Sequence, residues 1–237
     1  MTMVKRISEF IGEQKINPFI GTIDKSQRIF ATNDTIRDIV RAAIIKYGQY
    51  ADLNFIDVSC VSDMSNLFTI NEYFNGDISK WDMHNVENTE NMFDHSSFNG
   101  DISKWDMRNV ENMSFMFSHS RFNGDISKWN VTGAKYMPYM FYKSSFEGDL
   151  SNWNVENVVY TTYMFCRSRF NGDISNWNMR NVRYMCGMFA NSRFNGDISN
   201  WKINESQLIE FDDVFKGSPL ESNPPEWYVR ICNNAAI

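Results

Sequence analysis

A tryptophan returns every 24 residues along most of this chain, at Trp81, Trp105, Trp129, Trp153, Trp177 and Trp201, and a glycine keeps the same interval at Gly76, Gly100, Gly124, Gly148, Gly172 and Gly196. The unit reads F-(N/E)-G-D-(I/L)-S-(K/N)-W. Twelve residues after each of the first five tryptophans stands the Phe of a Met-Phe pair, at Phe93, Phe117, Phe141, Phe165 and Phe189, and five residues further on the next Phe restarts the unit. A period held without insertion over five junctions predicts equivalent coils stacked on one another, with identical positions aligned in columns. At a strand separation of about 4.8 Å per coil, like residues in a column nearly touch.

The fold class this predicts is a repeat solenoid: a right-handed, leucine-rich-repeat-like stack of 24-residue coils. Each coil is expected to carry a short parallel strand near Asp-Ile-Ser-x-Trp, a second near Asn-Val, and a tight helical turn. The turn is read from apolar residues recurring every third position, as in Val110, Met113 and Met116 or Val182, Met185 and Met188, a spacing that suits a 3₁₀-like turn and not a strand. The Phe, Ile, Trp and Met-Phe columns hardly vary, which places them inside. The glycine column is expected to hold a positive φ in an Asn-Gly turn. A degenerate copy precedes the regular units, with Ile56 in the Trp position and one extra residue between Thr69 and Tyr73; after Trp201 the Met-Phe positions hold Asp212 and Asp213, which reads as the end of the stack.

Such a stack exposes apolar ends and needs polar caps. Residues 1–53 read as an N-terminal helical cap, 54–215 as the solenoid and 216–237 as a C-terminal cap. In the first of these, Thr32, Asn33 and Asp34 offer N-cap oxygens, and Ile36, Ile39, Val40, Ala43, Ile44 and Tyr47 follow at helical spacing up to Gly48. Val4, Ile7, Phe10 and Ile11 suggest an earlier short helix. Pro219, Pro224 and Pro225 stop further ladder pairing, so the tail is expected to fold over the last coil.

These residues resemble a known family: the repeats of unknown function in mycoplasma lipoproteins, often called BspA-like surface-protein repeats, which also occur in algae and large DNA viruses. The likeness lies in a motif F-N-x-D-I-S-x-W-D-V-S-x-V, met here as Phe98-Asn99-Gly100-Asp101-Ile102-Ser103-Lys104-Trp105-Asp106-Met107-Arg108-Asn109-Val110, and it covers roughly residues 36 to 228. The Lys46-Tyr47-Gly48 lead-in and the segment from Gly217 to Trp227 are similar to that family's flanks. The resemblance implies interaction or adhesion repeats without a shared catalytic site. No secretory signal or lipidation cysteine is seen, so an intracellular or virion location is expected.

A formal net charge of −6 argues against a duplex nucleic acid partner, since phosphate contacts need clustered positive charge. No apolar run reaches the ~18 residues of a membrane span. Cys60, Cys166, Cys186 and Cys232 follow no CxxC pattern and read as free thiols.

Function is sought in the columns that vary. The seventh residue after each Trp reads Asn88, Asn112, Tyr136, Tyr160, Tyr184, and the tenth reads Asn91, Phe115, Tyr139, Tyr163, Gly187. Phe115, Tyr136, Tyr139, Tyr160, Tyr163 and Tyr184 thus form a candidate aromatic patch, either a binding surface or a rim that packs on itself. A candidate basic stripe comprises Lys143 and Arg167 in one column and Arg121, Arg169 and Arg193 two residues on, with a solvated face as the plainer reading. The column from Asp77 to Asp197 is expected to cap turns and not to bind calcium, which wants six to eight oxygens. His95 and His119 share a column with Lys143 and Arg167, so exposure is expected and not ligation; no metal or cofactor site is assigned. No nucleophile, P-loop or zinc-protease motif occurs. The expectation is a non-enzymatic interaction or scaffolding protein with a protein partner; the alternative is a glycan- or ligand-binding adhesin-like module.

Overall fold

The computed structural model describes residues 21 and 23–235. The short helix expected over Val4 to Ile11 lies outside them. It shows a tandem-repeat protein whose repeats lie one upon another. Single-residue parallel bridges join the same position of successive repeats: Asp63 to Asn88, Asn88 to Asn112, Asn112 to Tyr136, Tyr136 to Tyr160, Tyr160 to Tyr184 and Tyr184 to Glu210.

The interior follows from the aromatic columns. Within a repeat the two phenylalanines stack face to face, as Phe117 on Phe122 at 4.4 Å and Phe165 on Phe170 at 4.5 Å between ring centroids. Between repeats the files continue, Phe93 to Phe117 at 5.6 Å and Phe117 to Phe141 at 5.7 Å, with Phe98 to Phe122 and Phe122 to Phe146 both at 6.3 Å. Trp105, Trp129 and Trp153 form a third file at 6.4 and 6.3 Å with planes 8° apart. These centroid distances exceed the strand separation because the rings are slipped past one another, the offset arrangement aromatic faces prefer. All are buried.

Each tryptophan is also a cross-repeat tie. The indole N–H of Trp105 donates to the Ile78 carbonyl at 3.1 Å, and that of Trp129 to Ile102 at 2.9 Å. The same Ile78 carbonyl accepts the backbone N–H of Trp81 in its own repeat at 3.2 Å. One oxygen therefore closes the turn of one repeat and anchors the next, which satisfies a buried polar indole that would otherwise be costly.

The backbone departs from the expected strands. The Asp-Ile-Ser-x-Trp segments form no strand, their one pairing among the described residues being the bridge of Asp52 to Asp77. Near Asn-Val the pairing is reduced to one bridge per repeat, such as Asn88 to Asn112, two residues after Val86 and Val110. Two two-residue strands exist among the described residues, β1 (Ile29–Phe30) and β2 (Ile56–Asp57), paired in parallel where the region before the repeats meets the degenerate copy. The expected 3₁₀-like turn is replaced by an alternation. In the segment after Asn112, the N–H groups of Met113, Phe115, Phe117 and His119 donate to the next repeat, to the carbonyls of Tyr136, Pro138, Met140 and Tyr142. Those of Met116, Ser118 and Ser120 close turns on Met113, Phe115 and Phe117 in their own repeat. A chain that turns this way needs a left-handed residue at every fourth position, and φ is positive at Phe115 (57°) and His119 (53°), and likewise at Tyr139 (56°) and Lys143 (51°).

The repeat glycines are not those positions, which corrects the expected Asn-Gly turn. Gly76, Gly100, Gly124, Gly148, Gly172 and Gly196 lack a positive φ; they are required for space. A Cβ on Gly124 would stand 2.9 Å from two ring carbons of Phe122, a ring locked in its file, and one on Gly76 would stand 2.0 Å from the Ala51 carbonyl oxygen.

Both ends are closed by helices. Helix α1 (Ile36–Tyr47) stops at Gly48, whose N–H bonds the Ile44 carbonyl at 2.8 Å. The expected side-chain cap is absent: the N-cap is Thr35, whose hydroxyl accepts from the Thr32 N–H and makes no cap bond to the helix. Asn33 instead reaches the first repeat, its Oδ1 accepting from the N–H groups of Ser62 and Asp63. Arg37 donates to the Ser65 carbonyl at 2.7 Å. At the far end helix α2 (Glu226–Ala235) supplies Trp227, which stacks on Trp201 at 6.0 Å and donates its indole N–H to the Ile198 carbonyl at 2.9 Å. Trp227 is a seventh rung delivered by the tail. The phenylalanine file also runs one step beyond expectation: Phe215 stacks on Phe189 at 5.9 Å, 14 residues after Trp201, because two extra residues lie before Glu210. No helix among the described residues is long and apolar enough to cross a membrane.

Trp129→Ala is expected to cost about 3–5 kcal/mol in denaturant unfolding, as large-to-small core changes do. Trp227→Ala should destabilise less per atom removed and fray the C-terminal repeat first, seen as faster amide exchange near Trp201 than near Trp105. Gly124→Ala should cost about 1–3 kcal/mol from overpacking although its backbone conformation suits any residue; an unchanged melting point would show that the phenylalanine file can yield.

Candidate functional site: the ring-and-cation face

The left-handed positions decide what the surface looks like. The tenth column after Trp has φ of 55° at Asn91, 57° at Phe115, 56° at Tyr139, 53° at Tyr163 and 57° at Gly187. Asn and Gly adopt this region readily; a bulky aromatic there is a conformational outlier. In this protein three successive repeats hold one. Their rings stack, Phe115 on Tyr139 at 4.6 Å and Tyr139 on Tyr163 at 5.1 Å. The file stops at Gly187, where any Cβ would sit 2.2 Å from the Tyr163 ring.

A second file runs beside it on the bridge column. Tyr136 stacks on Tyr160 at 5.0 Å and Tyr160 on Tyr184 at 4.5 Å with planes 3° apart. Tyr136 is 41% exposed; the other five rings are half-buried. The expected patch residues thus form two files three residues apart along the chain, and within each file the rings stack on their neighbours. Burial raises the Tyr139 hydroxyl pKa, with the neighbouring Tyr163 adding to it, so this edge stays protonated and able to donate.

Sequence reasoning did not single out Tyr142, which joins the two candidate regions. Its ring meets Tyr139 edge-on at 5.5 Å and His119 at 5.1 Å, and the Lys143 ammonium lies over it at 5.2 Å. Beyond Lys143 and Arg167 stand Arg121, Arg169 and Arg193, all exposed. None of these five cations forms an ion pair among the described residues. The face therefore grades from aromatic edges to uncompensated positive charge.

The aspartate column caps turns as expected. Asp101 Oδ1 accepts the Ser103 N–H at 2.9 Å and Asp173 Oδ1 that of Ser175 at 2.9 Å. A second turn per repeat uses the residue after Trp in the same way, with Arg108 N–H on Asp106 and Thr132 N–H on Asn130. Only one acceptor oxygen is needed there, so Asp and Asn exchange freely. The N–H of the following Ser holds the carboxyl groups of Asp77, Asp101, Asp173 and Asp197 below the ordinary value, and for Asp125 the Ser127 hydroxyl leads.

His95 and His119 are not merely two exposed side chains. Their rings stack at 4.0 Å, and Asp94 sits against both. Burial lowers the His119 pKa, and the charges of His95 and Lys143 add to the effect. All four cysteines are free thiols, with Cys166 buried and its pKa raised by that burial.

Residues 39–145 and 122–227 match the family described as "Mycoplasma protein of unknown function, DUF285". The chain belongs to this family. The two overlapping matches span the repeats from α1 to the start of α2, so the ring files above are how a DUF285 chain is built in this case. No curated protein and no solved structure matches the chain.

The turn-capping aspartates give stability a pH dependence of definite sign. Their folded pKa values lie below the unfolded value of about 3.9, so their contribution is complete above that value and is lost as the pH falls through the folded ones. The melting temperature should therefore drop below about pH 4. Changing Asp101, Asp125 and Asp173 together to Asn should keep the turns at neutral pH and give a shallower acid decline; a steeper decline would show that the amide cannot replace the carboxylate.

Proposed function

We propose that this DUF285 chain is a right-handed, leucine-rich-repeat-like solenoid that catalyses no reaction and binds a protein partner along one lateral face, the face made by the two aromatic files and the cations beside them. The observation that carries the reading is the run of Phe115, Tyr139 and Tyr163 in left-handed backbone. Such positions cost roughly 1–2 kcal/mol for residues with a Cβ. Asn91 and Gly187 show what the column accepts without that cost. Strain kept at consecutive surface positions, by residues with large contact area, is the pattern of a working surface.

The interior is filled by stacked Phe and Trp, so recognition falls to surface side chains. Tyrosine edges and hydroxyls suit a protein surface, where they give hydrogen bonds and area at low entropy cost. A sugar would stack on open ring faces, and here the faces inside each file are covered by one another at 4.5–5.1 Å. That favours protein over glycan. The cations of Lys143, Arg167, Arg121, Arg169 and Arg193, without an ion pair among the described residues on a chain of net charge −6, favour acidic groups in the partner.

Tyr139→Gly with Tyr163→Gly removes two rings from positions where glycine is the least strained residue, so lost stacking and relieved backbone should nearly cancel. The expected result is an unchanged melting point together with loss of the proteins that co-purify with the wild-type chain from its native source. Unchanged co-purification would overturn the proposal, and so would collapse of the fold, which would make the rings structural.

A further inference from the structure

Asp94, His95 and His119 form a cluster in which one ligand atom from each side chain lies within 4.8 Å of the other two. His95 Nδ1 is 2.9 Å from Asp94 Oδ2, and His119 Nδ1 is 3.7 Å from Asp94 Oδ1. The fold produces this directly: the two histidines are 24 residues apart in one column, each in left-handed backbone, and Asp94 is the residue before His95. The surroundings leave one atom unexplained. Asp94 Oδ1 is out of reach of water and accepts no hydrogen bond among the described residues. The His119 nitrogen at 3.7 Å is too far to provide one. A buried carboxylate oxygen without a partner is uncommon and marks a place where something else belongs.

We propose that Asp94, His95 and His119 bind one divalent first-row transition-metal ion, of which zinc is the natural probe. Two imidazoles and one carboxylate are the donor set such ions take, and imidazole argues against calcium or magnesium, which take oxygen. An ion placed between the rings and the carboxylate takes the unpartnered Oδ1 as a ligand and displaces the proton shared by His95 and Asp94, a release that accompanies metal binding at protonated ligands. The His95 side chain is 60% exposed and free to turn toward it. Ser118 Oγ, 3.0 Å from His119 Nδ1, yields that nitrogen to the ion. The next cation in the column, Lys143, has its ammonium over the Tyr142 ring. Three protein ligands leave a tetrahedral ion one open position. The sequence reading had set the pair aside as exposed; it lacked the position of Asp94 between them.

The test is titration calorimetry of the full, chelator-treated chain with zinc, together with thermal melting. One ion per chain and a rise in melting temperature are expected. His95→Asn with His119→Asn should weaken binding at least tenfold and abolish the rise; asparagine is tolerated in this column, since Asn191 holds the equivalent position at φ 55°. The near-ultraviolet circular dichroism of the aromatic files should not change. His84→Asn, which alters the one other histidine of the chain, should leave binding intact. Absence of binding by the wild-type chain overturns the assignment, as does equal binding by the double variant, which would place the ion away from these histidines.

Discussion

The structure depends on one alternation in the backbone: along the segment after each bridge, successive N–H groups point by turns to the next repeat and back into their own. Each cross-repeat bond contributes a net ~0.5–1.5 kcal/mol, and it exists only because the chain swings through left-handed φ every fourth residue. The same bonds hold every repeat at one height above the last. The Phe and Trp files, the double use of each Ile carbonyl, and the closeness of residues 24 apart all follow from that fixed spacing.

The alternation also sets what reaches the surface. Two of the columns that vary have positive φ: Asn, Phe, Tyr, Tyr, Gly in one and His, His, Lys, Arg, Asn in the other. The core columns admit little change because each ring is clamped between two others. Variation is therefore channelled into columns of surface side chains, and the stack multiplies whatever is placed there. One tyrosine is an ordinary residue; three in register make a ridge.

Much of this was legible in the sequence. A strict period names the equivalent positions, and invariance along a column names the inside, so the buried Phe, Trp and Met residues and the grouping of the aromatic patch could be read directly. What could not be read was backbone conformation. The recurrent glycine looked like the left-handed residue, but it is a space requirement beside a phenylalanine ring, while the true left-handed positions carry Tyr, Phe, His, Lys and Arg. Propensity failed there because the four cross-repeat hydrogen bonds of a segment such as Met113 to His119 together outweigh a local preference of roughly 1–2 kcal/mol per residue. Trp227 and Phe215 were missed for a related reason: insertions shift them off the 24-residue count, yet they complete the same files in space.

The Asp94, His95 and His119 cluster shows what a column analysis omits. Columns compare residues at equal positions, and two histidines in one column look like independent surface residues. A site built across repeats draws also on the neighbouring column, here the one that reads Asp94, Ser118, Tyr142, Cys166 and Ala190. Only where that neighbour is acidic can the imidazoles share a carboxylate, and that occurs in one repeat. In a stacked fold a binding site is therefore specified by two adjacent columns read together, and the repeat in which an unusual pair coincides is where chemistry other than packing is found.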